Sequence, residues 1–306
     1  MGERNKMKKP DLILTADWHL RSTIPICRKD DFFEEQAKKI DFILQESDRY
    51  QCPILVAGDI GDKPQWENWL LEKYIGKFKA HSQRIYVLPG QHDLPNHRLD
   101  KLSESGLGVL VTSEAVYPLI NQRWFDEKFK ISCFPFGEKL NGPTYKKENK
   151  EIAIIHQLVS QNPLWKGQKN FISAKSLLGK FPCYDLIVSG DNHQSFAEEY
   201  KGRLLVNPGS IMRTTIAQKN FKPRIYLWYA ETNTVKEVSI PIKKDVFKPI
   251  EEIIHLEDEN TIQFIQTVRR DYDINISFNK NMESCLNKNP ELPEKVRNRI
   301  YKAMGV

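Results

Sequence analysis

The sequence predicts an α/β fold, and two observations carry that prediction. Short runs rich in Ile, Val and Leu recur along the chain, and segments of helical spacing alternate with the first of them. The runs are LILTA (Leu12 to Ala16), ILVAG (Ile54 to Gly58), RIYVLPG (Arg84 to Gly90), IAII (Ile152 to Ile155) and LIVSG (Leu186 to Gly190). Their length and near-continuous apolar character predict strands buried on both faces. After Phe33 the positions Ala37, Ile40 and Leu44 keep helical spacing, and after Trp66 the positions Leu70, Tyr74 and Phe78 step by four. Strand, helix, strand, helix, strand is the order of a sheet with helical crossovers.

The composition sets the class. The 306 residues are 40% hydrophobic and 28% charged, with the signs mixed, which suits one large domain or a large and a small one and does not suit disorder. The net charge of +6 is compatible with a polyanionic partner without requiring one. Cys27, Cys52, Cys133, Cys183 and Cys285 form no CxxC pair, as expected of reduced thiols in a cytoplasmic protein and not of a disulfide frame or zinc ribbon. The start MGERNKMKKP is basic, but LILTA is too short for a signal-peptide core and no run approaches a membrane span.

The residues at the end of each apolar run point to chemistry. LILTA leads into Asp17-Trp18-His19, ILVAG into Asp59, RIYVLPG into Gln91-His92-Asp93, IAII into His156, and LIVSG into Asp191-Asn192-His193. Ligands in open α/β sheets bind beyond the carboxyl ends of the strands, so these residues are expected at one sheet edge. One such Asp or His is ordinarily a turn residue or a cap. Five such ends in one chain make a shared metal site the better reading, and imidazole with carboxylate suits Mn, Fe, Zn or Ni. His81 and His255 lie in polar surroundings and are expected at the surface. His97, in the loop PNHRLD, is a candidate for the mouth of the site.

In order and spacing these residues resemble the signature of the calcineurin-like metallophosphoesterases, D-x-H, G-D, G-N-H-D/E, a lone H and G-H-x-H, which here read DWH, GD, GQHD, H and GDNH. Within that superfamily the chain looks closest to the SbcD type, the nuclease subunit of the SbcCD double-strand-break complex, and to its phage relatives. GDIGD, the segment CFPFGE and the continuation past the core carry that likeness. Pro89 and GDIGDKP set the Ser/Thr phosphatase branch aside.

The resemblance implies a four-layer α/β/β/α sandwich over residues 10–243, with residues 244–306 as a small helical extension that docks DNA or a partner, or packs on the core. It implies that Asp17, His19 and His193 hold one metal, that Asp59 bridges, and that Gln91, His156 and Asp191 hold the second. His92 would be catalytic and Asp93 would orient it. Gln91 stands where Asn is usual and Asp191 where His is usual. That leaves the second metal an oxygen-rich set, which points to Mn first, with Mg, Fe or Zn open. Asn207-Pro208-Gly209-Ser210 resembles a turn found beside such sites, and Arg213 just beyond it is a candidate phosphate contact. Two divalent ions bind a phosphodiester's oxygens, lower the pKa of a bridging water and stabilise charge on both attacking and leaving oxygens.

Past Ile250 two helical stretches are expected, one through Ile262, Ile265 and Val268 and one from Pro293 through Val296, Ile300 and Met304. This tail is short for both the DNA-facing cap and the ATPase-docking helix pair of the SbcD type. Three functions remain open: a DNA exo- or endonuclease working with an SMC-like ATPase of the SbcC type, with a homodimer open; a phosphodiesterase or phosphatase on small molecules; and a non-catalytic binding module. A cytoplasmic location is expected in each case, that of the host if the chain is phage-encoded.

Overall fold

The computed structural model of the chain describes residues 9–120, 123–125, 128–142, 149–163, 168 and 171–249 and, in the tail, residues 252, 286–287, 294, 296–298 and 301. The chain divides into two units, Met1–Phe247 and Lys248–Val306.

The first unit runs β1 (Leu12–Thr15), α1 (Phe32–Tyr50), β2 (Ile54–Val56), α2 (Asn68–Lys79), β3 (Ile85–Val87), α3 (Gly106–Thr112), β4 (Tyr117–Pro118), β5 (Arg123–Phe125), β6 (Phe129–Phe134), β7 (Lys150–His156), β8 (Val159–Ser160), β9 (Ile172–Ser173), α4 (Ala174–Lys180), β10 (Leu186–Gly190), β11 (Phe196–Tyr200), β12 (Arg203–Asn207), β13 (Arg224–Tyr229) and β14 (Thr234–Ser239). The strands form a sheet of order β14-β13-β1-β2-β3-β4, a second of order β11-β12-β10-β7-β6-β5, and the small pair β8-β9. In the first sheet β1 to β4 are mutually parallel, and in the second β6, β7, β10 and β12 are.

Strand side chains alternate in direction, so a strand covered on both faces feeds two cores. Leu12 and Leu14 join Leu55 and Tyr86 and face Ile152, Ile154, Leu186 and Val188 of the other sheet. Ile13, Ile54, Val56, Ile85 and Val87 point the other way, onto Ile40 and Ile43 of α1, Leu70, Tyr74 and Phe78 of α2, and Leu107 and Leu110 of α3. Ala153, Ile155 and Ile187 pack on Leu177 and Leu178 of α4. Three cores between four layers make an α/β/β/α sandwich.

Helix α1 starts where the Asp31 carboxylate accepts from the Glu34 N–H at 2.9 Å, and it stops at Gln51, whose φ of 51° turns the chain away. The first unit runs a few residues past the expected boundary at 243. Val246 is buried, the Lys29 N–H donates to its carbonyl at 3.0 Å, and the Phe247 ring lies under the guanidinium groups of Arg28 and Arg213. The expected helix through Ile262 lies outside the described residues. Of the second, Glu294, Val296, Arg297, Asn298 and Tyr301 are described and helical, with Val296 exposed.

At the edge of the sandwich where β10 and β12 begin, Asn233 joins the sheets. Its Nδ2 donates to the carbonyls of Asp185 and Gly202, each at 3.0 Å, and its Oδ1 accepts from Trp228 Nε1 at 3.1 Å. Its φ of 49° is one that Asn tolerates better than Ala. Asn233→Ala leaves the buried Trp228 Nε1 without its partner and removes both bonds to the carbonyls, of which that of Asp185 keeps the Leu204 N–H, so it is expected to lower the unfolding free energy by about 1–3 kcal/mol in urea denaturation. An unchanged midpoint would show that the joint carries no stability.

Candidate active site

The carboxyl ends of β1, β2 and β3 converge with those of β7 and β10. The expectation of one sheet edge is corrected here: two sheets supply the residues, and the edge is that of the sandwich. Asp17 and His19 come after β1, Asp59 after β2, Gln91–Asp93 form a 3-10 turn after β3, His156 ends β7, and Asp191 and His193 come after β10. Among the described residues three overlapping groups have their donor atoms within 4.8 Å of one another: Asp17, His19 and His193; His19, Asp59 and His92; and Asp17, Asp59 and His156. Nε2 of His19 lies 3.1 Å from Nε2 of His193, and Nε2 of His156 lies 3.3 Å from Oδ2 of Asp59.

The backbone is bent to achieve this. Asp17, His19, Asp59 and Asp191 have φ of 49°, 44°, 52° and 79°. The left-handed region costs an L-residue roughly 1–2 kcal/mol, and Asp and His visit it more readily than most. Backbone bonds hold the first turns in register, from Asp17 N–H to the Gly58 carbonyl and from His19 N–H to the Asp59 carbonyl, both at 3.0 Å. Two glycines allow the sheets to touch. A Cβ on Gly58 would fall 2.0 Å from His156 Nδ1, and one on Gly190 would fall 1.9 Å from the Ala57 carbonyl oxygen.

The donor set fits divalent metal. Asp17 Oδ2, Asp59 Oδ2, Gln91 Oε1 and His156 Nε2 are all buried without a hydrogen-bond partner, although each comes from a different strand end. Buried polar atoms are almost always paired, so four without a hydrogen bond gathered here, two of them (Asp59 Oδ2 and His156 Nε2) facing each other at 3.3 Å, point to a cation. His156 has the supporting bond that a metal-ligating imidazole usually makes: its Nδ1 donates to the Ala57 carbonyl at 2.7 Å, which leaves Nε2 as the free donor atom.

Asp93 does not orient His92. Its carboxylate accepts from the backbone N–H of Gly61 and of Gly90, both at 2.9 Å, and so ties the β2 loop to the β3 loop. His92 is oriented by a group that sequence reasoning missed, the Asp62 carbonyl, which accepts from Nδ1 at 2.9 Å. The Asp62 carboxylate also pairs with Arg21 at 3.2 Å. Asp59 Oδ1 accepts from the His92 backbone N–H at 2.8 Å.

The turn Asn207–Ser210 shapes the last motif. Asn207 Nδ2 donates to the carbonyls of Asn192 and Gln194, and the Ser210 N–H donates to the His193 carbonyl at 3.1 Å. Arg213 is corrected from phosphate contact to structural tie. It is 8% exposed, and its guanidinium donates to the carbonyls of Lys219 and Lys243 at 2.8 and 2.7 Å. The exposed His97 packs its ring edge-on against Phe136, with centroids 5.6 Å apart, and belongs to none of the three groups. His81 is not a surface residue: its side chain is enclosed and bonded to Ser47 Oγ at 3.0 Å. His255 lies outside the described residues.

Burial dominates the electrostatics. It raises Asp17 to about 8, and the Asp59 charge adds to that effect. It lowers His19 to about 3 and also lowers His193. At His156 burial pulls down, but the facing Asp59 and then Asp17 outweigh it and lift the imidazole to about 10. In the protein alone, then, Asp17 and His156 hold protons at neutral pH on atoms a metal needs, whereas His19 and His193 do not. Metal binding at neutral pH is expected to release about one to two protons and to tighten as pH rises toward these values. Calorimetry of Mn binding in buffers of different ionisation enthalpy measures the number directly. Zero release with a pH-independent affinity would contradict this charge assignment.

Among solved structures the chain is similar to an archaeal phosphodiesterase (14% identity over 74% of this chain and 98% of that one, TM-score 0.40). It is also similar to a metallophosphoesterase from Sphaerobacter thermophilus (13% identity, 76% and 89% covered, TM-score 0.39). A candidate 5′-nucleotidase from Staphylococcus aureus in complex with α-ketoglutarate also matches (10% identity, 81% and 58% covered, TM-score 0.44). No curated protein matches. The family model described as calcineurin-like phosphoesterase matches residues 11–195, more than half of the chain and the whole span from Asp17 to His193, and this chain belongs to that family.

Proposed function

We propose that the chain is a metal-dependent phosphodiester hydrolase that cuts DNA, acting as the nuclease subunit of an SbcCD-like complex with an SMC-type ATPase in the cytoplasm. The observation that carries the hydrolase reading is the set of four buried, unpartnered donor atoms on Asp17, Asp59, Gln91 and His156. Two divalent ions, Mn by preference, would be held by Asp17, His19, Asp59, Gln91, His156 and His193. They would supply Lewis-acid charge for the phosphate and an activated water.

The chain's own residues do the rest. Asp59, with a carboxylate oxygen near both His19 and His156, suits the bridging role. Asp62 pins the His92 proton to Nδ1, so Nε2 is the atom left to meet the scissile phosphate or protonate the leaving oxygen. The His92 ring is solvent-exposed and stands edge-on to His19, with centroids 5.0 Å apart, so substrate can reach it. The likeness of GDIGD and CFPFGE to the SbcD type and the net charge of +6 support DNA as substrate. Among the described residues no helix is long and apolar enough to cross a membrane.

One observation favours a second reading, a phosphodiester of nucleotide size. A groove of about 700 Å³ opens beside Asp191 and His193, lined also by Leu158, Phe221, Lys222 and Arg224, and that volume is ordinary for a small-molecule site.

Linear duplex DNA is expected to be degraded with Mn and left intact in EDTA, and His92→Ala is expected to slow cleavage by about 10²–10⁴-fold while Mn binding persists. Cleavage in chelator would sink the metal reading. Hydrolysis of nucleotide phosphodiesters with DNA left intact would select the second reading. Mn binding with no hydrolysis of either would leave a binding module.

A further inference from the structure

Gln91 and Asp191 come from different sheets and meet at the site: Nε2 of Gln91 donates to Oδ1 of Asp191 across 2.7 Å. The other end of the same amide, Oε1, is buried and has no partner. An amide side chain has two ends of nearly the same shape, one accepting and one donating, and its neighbours decide which end faces which way. An ionised carboxylate only accepts. Against Asp191 the amide can therefore place only its NH₂, and the oxygen is left on the opposite side.

Asp191 is itself held in place. Its N–H donates to Asp17 Oδ1 at 3.1 Å, its φ is 79°, and Gly190 before it is pressed against the Ala57 carbonyl. Among the described residues Asp191 belongs to none of the three groups of converging donor atoms.

We infer that Asp191 is a positioning residue, whose carboxylate locks the Gln91 amide so that its oxygen, and not its nitrogen, is offered to the second metal. The pair is then one functional unit. Either partner alone serves less well, because an unlocked glutamine has to be turned oxygen-first by the ion itself, at a cost in affinity. This inference rests on reading the cluster as a two-metal site, and it differs from the expectation that Asp191 is an independent ligand.

A double-mutant cycle on the full chain separates the two roles. Mn(II) binding is followed by calorimetry and by the free-ion EPR signal in the parent, Asp191→Ala, Asp191→Asn, Gln91→Ala and the double Gln91→Ala/Asp191→Ala, with circular dichroism confirming the fold of each. Asp191→Ala is expected to weaken the second Mn by about 10–100-fold and to leave the first unchanged, as for other residues that orient a ligand. Asp191→Asn, which can accept or donate, is expected to fall between Asp191→Ala and the parent. In the Gln91→Ala background Asp191→Ala is expected to add nothing. A loss in the double variant equal to the product of the single losses would make Asp191 an independent ligand and overturn the inference. So would an Asp191→Ala protein that binds two Mn as the parent does. A parent that binds fewer than two Mn would overturn the two-metal reading itself, and this inference with it.

Discussion

His156 Nδ1 donates to the Ala57 carbonyl across 2.7 Å, and this bond joins the two sheets at the edge where the site forms. Facing sheets usually lie about 10 Å apart, the thickness of their interlocked side chains. Here, at the carboxyl ends of β2, β7 and β10, that separation closes to backbone contact. The glycines at 58 and 190 are what the contact demands, since any Cβ there would overlap His156 or the Ala57 carbonyl. The convergence of Asp59, His156 and Asp191 results from it: Asp59 follows Gly58, Asp191 follows Gly190, and His156 is the residue both glycines press against. Asn233 joins the sheets where β10 and β12 begin, so the sandwich is tied at both ends of its strands and the middle is left to the Leu, Ile and Val of the inner core.

A site built this way works against folding. Each buried polar atom left unpaired costs about 1–3 kcal/mol, and Asp17 Oδ2 and Gln91 Oε1 stand alone in this way, whereas Asp59 Oδ2 and His156 Nε2 face each other at 3.3 Å. Left-handed backbone at Asp17, His19, Asp59 and Asp191 adds to that cost. Stability has to come from elsewhere, and the three cores are where it is found. The site also balances its own charge. Asp59 keeps its carboxyl ionised because the facing His156 outweighs burial, and His156 stays protonated for the reciprocal reason. A proton on an imidazole thus does for the buried carboxylate what a cation would do, which is why the donor set can be assembled by the chain alone.

Much of this was legible from residue types. Strands buried on both faces show as unbroken apolar runs, and all five such runs are strands. Residues that end such runs have to sit at a carboxyl edge, and Asp17, His19, Asp59, Gln91, His92, His156 and His193 do. The partition into two sheets was not legible from periodicity, because a doubly covered strand reads the same in either sheet. The partners of Arg213 were hidden because they are backbone carbonyls 6 and 30 residues away. The orienting group on His92 was hidden for a related reason: it is the carbonyl of Asp62, and a carbonyl leaves no trace in the identity of the residue that owns it. The role of Asp93 was obscured because its neighbour in sequence is His92, whereas its neighbours in space are the amides of Gly61 and Gly90.

The four histidines divide into two kinds by what holds their second nitrogen. His156 and His92 each donate Nδ1–H to a carbonyl, of Ala57 and of Asp62, so the backbone sets the tautomer of His92 and decides that His156 gives up its Nε2 proton first. His19 and His193 instead face one another through Nε2 at 3.1 Å. Both are neutral because burial lowers them, so this contact is a hydrogen bond only if one Nε2 carries a proton and the other accepts it. Offering both Nε2 lone pairs outward then requires one ring to move its proton to Nδ1. For His19 that nitrogen lies 4.0 Å from the Asp62 carboxylate, an acceptor on the side where the proton would go. Asp62 therefore faces two histidines with two different atoms, its carbonyl fixing the proton of His92 and its carboxylate lying 4.0 Å from Nδ1 of His19. The second aspartate of GDIGD contributes no donor atom to the cluster, yet its carbonyl sets the tautomer of His92 and its carboxylate stands beside His19.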